Sequence, residues 1–308
     1  MPPDDALVKN TATLKRLNEP LEHFATVEKL SSATKLFKRI QSHPFHEASW
    51  AFRGEADAER TLRPGIERIA SRPGLAEDYV EREFKRRAHH YLRDLPGDED
   101  DLEWLALMQH HGAPTRLLDW TRSVYVAAFF AAESAVYKRI AADAERRSKP
   151  FVIWAIDEKG VNAVAAEMLG LPQGSNNLSS AENFRKIYRE SQPDGLYLTA
   201  PVQPYRMNER LTIQQGLFLC ANNPLFRFDR CLKSLLLFAS RRHKGSEQWL
   251  HKLVIDPEAR LDVLRILNKM NINRATLFPG LDGFSASLRI DSEIRDAENS
   301  FPYPNANP

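Results

Sequence analysis

The chain has 308 residues, of which 43% are hydrophobic and 27% charged, as is ordinary for a globular protein that buries a core. Its 43 basic and 41 acidic side chains leave a formal charge of +2, which excludes the strongly basic balance of a dedicated nucleic-acid binder. The two cysteines, Cys220 and Cys231, are too few for a disulfide scaffold and lack the paired spacing of a zinc site. We therefore expect free thiols, no bound metal and a reducing, cytoplasmic environment.

The first 20 residues have neither a signal-peptide pattern nor enough apolar length to cross a membrane. We therefore expect a soluble protein without a membrane partner. Residues 1–26 are assigned to an N-terminal extension, residues 27–293 to one α+β domain and residues 294–308 to a flexible, proline-rich tail.

The first half of the chain shows helical periodicity. Apolar spacing predicts helices over 27–40 and 76–92, with a short strand, SWAFRGE, between them. A third helix is expected from Asp101 to just before Gly112. The segment VYVAAFFAAESAVYKRI is apolar nearly all round and predicts a buried helix, capped by Asp119 or Thr121, with a solvated charged end over 138–147.

From residue 150 the pattern changes to short strand-like runs. These are FVIWAID, GLYLTAP, RLTIQQGLFLCA, CLKSLLLFAS and WLHKLVID. An exposed loop is expected over 174–183, and a last helix is expected to begin at Pro257. Together the two halves predict an α+β fold, in which a helical N-terminal half packs on a mixed, mainly antiparallel sheet contributed largely by the C-terminal half.

Several segments together resemble a known family. The patterns GxxxxGK[ST], GxGxxG, HExxH and GxSxG do not occur. Polar residues cluster instead in QHHGAPTRLLDWTRS, residues 109–123. With WAFRGE, LRPGIER, EREFKRRA, RLTIQQGLFLCA and LFPGLDGFSASL, this segment resembles the FRG domain family, which is named for its Phe-Arg-Gly motif. The similarity runs from about residue 50 to 288, and it implies no particular reaction.

The motif arginine, Arg53, has two interpretations. Its planar guanidinium can bind phosphate or carboxylate, with Gly54 allowing a ligand to approach closely. Alternatively, Arg53 pairs with Glu55 or Asp119 and locks the fold.

The two histidines of the cluster diverge by about 100° on a helix, so only one of them can face a given site. Their place in the last turn favours the cation and raises the pKa, which suits a phosphate binder or an acid. A simple partner of the helix dipole is the alternative for His110 or His111.

Thr115 and Arg116 are predicted in a proline-braced turn that leads into the buried helix. The backbone amides at that helix start would attract an anion, and Arg116 could then bind phosphate. Asp119 is expected to cap the helix, with orientation of Arg53 or a histidine as the alternative. The two tryptophans, Trp104 and Trp120, are expected in the core.

In RLTIQQGLFLC, a strand would place Gln214 and Gln215 on opposite faces. Gln215 precedes Gly216, which is typical of a bulge or of close ligand approach, and Arg210 offers another anion ligand. Ordinary surface placement is the alternative for all three side chains.

The order of these segments resembles the R-S-E layout of mono-ADP-ribosyltransferases, which implies that the first arginine holds cofactor phosphate and that a glutamate drives transfer. Here Gln214 or Gln215 stands where the glutamate is wanted, and an amide cannot stabilise a ribosyl cation as a carboxylate does. Glu209 fits only with a shifted alignment. The middle segment is also predicted as turn-to-helix rather than strand, so the likeness concerns the fold alone.

Three functions stay open. The favoured one is an NAD- or nucleotide-handling effector of toxin or defence type, because an arginine-rich site with helix-end amides suits a phosphate-bearing small molecule better than extended nucleic acid. The others are a metal-independent nuclease or phosphodiesterase with a histidine acid, and a nucleotide- or peptide-sensing module without turnover. In the favoured function, Arg53, His111 and Arg116 converge on one cleft. The expected catalytic residues are His111, Gln215 and Asp119, and the expected cofactor-binding residues are Arg53, Gly54, Thr115, Arg116 and Arg210.

Overall fold

The computed structural model describes residues 11–46, 49–135, 149–172, 177–189 and 196–299. Seven strands are present there: β1 (Thr26–Leu30), β2 (Trp50–Glu55), β3 (Leu117–Thr121), β4 (Phe151–Asp157), β5 (Thr199–Val202), β6 (Gly216–Ala221) and β7 (Leu250–Ile255). The α-helices are α1 (Thr11–Leu17), α2 (Ala33–Ile40), α3 (Gly65–Ile69), α4 (Pro73–Ala88), α5 (Asp101–His110), α6 (Val124–Ser134), α7 (Glu158–Met168), α8 (Ala181–Tyr188), α9 (Glu209–Ile213), α10 (Phe228–Arg242), α11 (Arg260–Lys269), α12 (Arg274–Leu277) and α13 (Leu281–Asn299). Short 3-10 helices lie at Leu21–Phe24, Ser246–Gln248 and Pro257–Ala259.

The strands form one sheet in the order β1-β7-β4-β2-β3-β6-β5. The pair β1 and β7 is parallel, and every other neighbouring pair is antiparallel. The strands β2 and β3, which hold most of the motif residues, lie at the centre of the sheet. They pair through Phe52 and Thr121, so the Phe-Arg-Gly motif and the 109–123 segment are neighbours in space.

Helices cover both faces of this sheet. On one face, α5, α7, α8 and α10 bury their apolar sides against residues such as Ala51, Leu118 and Trp154. On the other face, α2, α6 and α11 pack against Phe52 and Ile153. Removal of these two apolar surfaces from water is the main stabilising contribution. The described structure therefore has three layers, with the sheet in the middle.

The predicted α+β class is confirmed, and so are several elements. The strand SWAFRGE is β2, FVIWAID and WLHKLVID contain β4 and β7, and a helix follows Pro257. The helix expected from Asp101 is α5, with Asp100 at its cap position and Gly112 beyond its end at a φ of 81°. The sheet is mixed and mainly antiparallel, as predicted, and four of its seven strands come from residues 151–255, while β1, β2 and β3 lie before residue 122.

Three periodicity-based predictions are wrong. Residues 26–40 form β1 and then α2, because the Ser32 hydroxyl accepts a hydrogen bond from the Lys35 amide and starts the helix there. The run CLKSLLLFAS lies in α10 and is buried nearly all round, and such a buried helix lacks a clear polar face. The segment RLTIQQ forms α9 and a turn, so the strand begins only at Gly216.

The central segment was also predicted wrongly. Residues 117–121 are β3, and α6 is capped by the Ser123 hydroxyl rather than by Asp119 or Thr121.

Of the loop expected over 174–183, residues 174–176 lie outside the described residues, Leu178 is buried and α8 begins at Ala181. The charged end expected over 138–147 also lies outside them.

At the chain ends, Leu17 of α1 is buried and α13 continues to Asn299, beyond the expected start of the tail at 294. The assignment of an extension, a domain and a tail remains a prediction, and residues 300–308 lie outside the described part. None of the described helices is long and apolar enough to cross a membrane.

Candidate functional site

A cavity of about 360 Å³ opens at the centre of the sheet, where β2, β3 and β6 meet α5 and α9. Its apolar part includes Phe52, Trp120 and Phe218. Its polar part consists of Arg53, Glu55, Arg60, Arg68, Gln109, His110, Asp119, Asn208, Arg210 and Gln214. This size and mixture are typical of sites for small molecules.

The strand β3 places two polar residues, Asp119 and Thr121, at this cavity. Leu117, Leu118 and Trp120 are buried, and Thr121 is buried with its hydroxyl donating to the Gln214 carbonyl at 2.6 Å. The Asp119 side chain is 58% exposed. Of the polar side chains in β3, Thr121 therefore holds the fold, and Asp119 is open to solvent and ligand.

Arg53 lies at the cavity but is held by protein groups. Its Nε donates to Glu55 Oε1 at 2.8 Å, and its Nη1 donates to the Asp119 carbonyl oxygen at 2.6 Å. Its Nη1 is 3.9 Å from Asp119 Oδ2, and its side chain is 12% exposed. The pairing with Glu55 and Asp119 is thus present, and Arg53 ties β2 to β3 at the edge of the cavity.

Gly54 is explained by packing rather than by ligand approach. A Cβ at this position would lie 2.0 Å from the Ala127 carbonyl oxygen and 2.6 Å from the Ala131 amide nitrogen. Both atoms belong to the backbone of α6, which crosses the sheet face opposite the Arg53 side chain. Glycine lets this helix contact the strand closely.

Arg116 does not reach the cavity. Its Nε donates to Glu77 Oε2 at 2.6 Å and its amide donates to Glu77 Oε1 at 3.0 Å, in a site where both side chains are buried. Its guanidinium also lies 4.3 Å from the centre of the Tyr188 ring. Burial lowers the Arg116 pKa, but the opposing effect of Glu77 is stronger and raises it overall. Arg116 therefore joins β3 to α4 and α8.

Thr115 is fully buried and acts on the cavity indirectly. Its hydroxyl donates to Gln109 Oε1 at 2.7 Å, and Gln109 Nε2 in turn donates to Asp119 Oδ2 at 3.0 Å. Gln109 is thus fixed at both ends of its amide, and it orients the Asp119 carboxylate. No sequence pattern singles out Gln109, because its partners Thr115 and Asp119 lie outside its own helix.

The two histidines face different surfaces, as the geometry of a helix requires. His110 lines the cavity, whereas His111, at the C-cap of α5, lines a groove beside α4. The expected rise in pKa is wrong for His110: burial lowers it, and the nearby His111 and Arg210 lower it further. His110 is therefore a neutral imidazole at neutral pH.

Arg210 is a half-buried cation of this site that no carboxylate pairs within the described residues. Its guanidinium lies 4.2 Å from the centre of the Phe278 ring, and within the described residues it makes neither an ion pair nor a hydrogen bond. Burial lowers its pKa, Asp119 opposes this and Arg274 reinforces it. The guanidinium stays charged throughout the physiological range, so it can accept an anion.

The two glutamines lie in the turn between α9 and β6, and this turn, rather than strand alternation, directs their side chains to different places. Gln214 ends α9 and lines the cavity, where its Nε2 donates to the Leu277 carbonyl at 2.9 Å. Gln215 has a φ of 50°, is exposed and does not line the cavity. At the adjacent Gly216, a Cβ would lie 2.2 Å from Leu211 Cδ1, so the leucine side chain would have to shift.

The structure thus brings together Arg53, Gly54, Asp119 and Arg210 among the expected site residues. It does not bring His111, Arg116, Thr115 or Gln215 to the same cavity, so the predicted convergence of Arg53, His111 and Arg116 is wrong. The residues that sequence reasoning missed are Glu55, Gln109, Arg60 and Arg68, together with His110 as the histidine that faces inward.

No group of three or more histidine, cysteine, aspartate or glutamate side chains lies in metal-binding proximity within the described ranges. Trp104 and Trp120 are buried, as expected for core residues, and Trp104 Nε1 donates to the Gly97 carbonyl at 2.9 Å. The two cysteines are buried free thiols.

The fold and the site define an α+β domain with a polar cavity at the middle of a mixed sheet. The model of the FRG domain family matches residues 48–139. The chain carries an FRG domain over these residues, which include β2, α3, α4, α5, β3 and α6. No curated protein and no solved structure matches the chain.

Proposed function

We propose that the central cavity binds a phosphate-bearing nucleotide, with NAD as one candidate, and that the protein acts on this ligand. The observation that carries the proposal is the open Arg210 guanidinium beside Asp119 and a neutral His110. Arg60 and Arg68 also line the cavity, and both are exposed without a side-chain hydrogen bond or ion pair within the described residues. Three available guanidinium groups favour an anionic ligand.

The apolar part of the cavity supports a nucleotide over inorganic phosphate. Phe52, Trp120 and Phe218 provide a surface for an aromatic base, while the arginines lie on the polar side. The Trp120 indole N–H is buried without a hydrogen-bond partner in the described structure.

Asp119 is the group best placed for chemistry. In transfer or hydrolysis at a ribosyl carbon, the bond to the base breaks, the base leaves with the bonding electrons and the ribosyl carbon becomes positive before a nucleophile adds. A carboxylate can stabilise that charge, and Asp119 is exposed and oriented by Gln109. This role replaces the one expected for Gln215, which lies outside the cavity.

The nuclease alternative has less support. A histidine that acts as an acid near neutral pH needs a raised pKa, but the pKa of His110 is lowered. Arg116 is not available to a phosphate, because its guanidinium is paired with Glu77. The sensing alternative shares the same cavity and differs only in turnover.

The test is titration calorimetry with AMP, ADP, ADP-ribose and NAD, using wild type, Arg210→Gln and Asp119→Asn. Binding should weaken about tenfold or more in Arg210→Gln, because a charge-assisted contact is lost. Asp119→Asn should bind at least as well as wild type, because a negative charge near the phosphates is removed, but it should lose turnover of NAD measured as released nicotinamide. Arg289→Gln, on the distant and exposed side of α13, is the control. The absence of binding of all four compounds to wild type would refute the proposal, whereas binding without turnover would support the sensing module.

A second measurement uses His110. Protonation adds positive charge beside the ligand, so affinity for phosphate should rise as pH falls from about 7.5 through the lowered His110 pKa. His110→Gln should remove most of this pH dependence. A pH profile identical in the variant and in wild type would exclude His110 from the ligand site.

A further inference from the structure

A second surface, separate from the central cavity, lies along α4. A groove of about 660 Å³ is lined by two rows of side chains, spaced four residues apart, and by His111. Within α4 this spacing places side chains on one helix face, and Tyr91 and Leu92 lie just beyond the helix end at Ala88. One row is Tyr79, Glu83, Arg87 and Tyr91, and the other is Val80, Phe84, Ala88 and Leu92. We call this surface the α4 groove.

Two tyrosines of the α4 groove are strongly exposed. Tyr91 is 83% exposed and Tyr79 is 59% exposed. Burial of these rings would remove considerable apolar surface from water. Exposed tyrosine rings in a groove therefore indicate a binding partner. The Arg82 guanidinium lies 5.8 Å from the centre of the Tyr79 ring.

The charge around the groove is positive and only partly compensated. Between residues 82 and 93 the sequence has five arginine and lysine residues and one glutamate. The exposed Arg82, Arg86 and Arg87 all contact that same glutamate, Glu83, at 3.9, 3.0 and 2.9 Å. One carboxylate cannot neutralise three guanidinium groups, so the surface attracts anions.

We propose that the α4 groove binds single-stranded nucleic acid, with Tyr79 and Tyr91 stacking on bases and the arginines contacting phosphates. Aromatic rings interleaved with basic side chains are the combination that single strands require. The duplex is disfavoured, because its bases are already stacked and cannot reach the rings. This surface is independent of the nucleotide cavity and of any turnover there.

The test is fluorescence anisotropy with a labelled 12-nucleotide oligo(dT) at about 50 mM salt. Tyr91→Ala and Arg86→Gln should each weaken binding about tenfold, in the range expected for one stacked base or one phosphate contact. Tyr205→Ala is the matched control, because Tyr205 is 96% exposed and is followed by Arg206 but lies beside Asp100, Asp101 and Glu103 on another surface. With three phosphate contacts, the logarithm of the affinity should fall with the logarithm of salt concentration with a slope of about −2.

Several outcomes would overturn the proposal. They are no binding by wild type, an equal loss in Tyr205→Ala, or a duplex of the same length that binds as tightly as the single strand. A 12-residue polyglutamate peptide that competes as well as unlabelled oligo(dT) would show that charge alone carries the contact, and would also overturn it. Thermal melting of each variant confirms that the fold is intact, since the exposed Tyr91 and Arg86 side chains have little part in the core.

Discussion

The contact between Gly54 and α6 predicts a large loss of stability in Gly54→Ala. The new methyl group would meet the Ala127 carbonyl oxygen at 2.0 Å, the Ala131 amide nitrogen at 2.6 Å and the Ala131 Cβ at 3.0 Å. Both alanines are fully buried, so α6 cannot simply move outward. Overpacking of a tight core typically costs about 1–3 kcal/mol, and a clash with backbone atoms should cost about 3 kcal/mol or more.

The assay is urea and thermal unfolding followed by circular dichroism. A loss of about 3 kcal/mol corresponds to a fall in melting temperature of roughly 6–12 °C for a large domain. Gly65→Ala is the matched control, because its Cβ would first meet Pro114 at 3.4 Å and because Gly65 begins α3. There alanine should be neutral or should stabilise by up to about 1 kcal/mol.

The reasoning about Gly54 would be refuted by a loss below about 1 kcal/mol, or by an equal loss in Gly65→Ala. The same variant also separates packing from ligand access. Because the missing side chain would point at α6, the folded fraction of Gly54→Ala should bind nucleotide with an affinity close to that of wild type. A selective loss of binding with unchanged stability would instead assign Gly54 to the ligand site.

Three further predictions concern buried groups. Burial raises the pKa of Glu67 from 4.5 to about 7, so the native protein keeps a proton that the unfolded chain releases. The free energy of unfolding therefore falls by about 3 kcal/mol as pH rises between these two values. In urea titrations, Glu67→Gln should be more stable than wild type at pH 8 and equal to it at pH 4. A difference that is independent of pH would contradict this. Arg116→Gln should lose about 3–5 kcal/mol of stability in the same assay, since it leaves the buried Glu77 carboxylate unpaired. Asp119→Asn should change stability by less than about 1 kcal/mol. Similar losses in both variants would contradict the structural role of Arg116. Burial also raises the pKa of Cys220 and of Cys231 to about 12, so a disulfide reagent at pH 8 should label neither thiol in the native protein and both after denaturation, and rapid native labelling would contradict their burial.

The sequence by itself determined the elements whose signal is local. β2 follows from the short run that precedes the motif glycine, β4 and β7 follow from apolar runs rich in β-branched residues, and α5 follows from its acidic start and the glycine after its end. The resemblance to the FRG family likewise depended on short motifs, and the family match confirms it for the motifs that lie within residues 48–139. Local propensity and pattern carry this information because each element is specified within its own few residues.

Only the tertiary structure decided the identity of each partner. Arg116 directly precedes β3 and Asp119 lies within it, three residues later. Yet Arg116 is buried against Glu77, 39 residues earlier, whereas Asp119 opens to the cavity. No spacing rule predicts these different partners. β3 lies within a polar segment that lacks a strand pattern, and its partner strands come from both halves of the chain. A buried charge must find its counter-charge wherever the packed layers bring one close, and a cation stays available to a ligand only where they do not. Arg116 meets the first condition and Arg210 the second, and the difference arises from long-range packing that neither residue's neighbours in sequence encode.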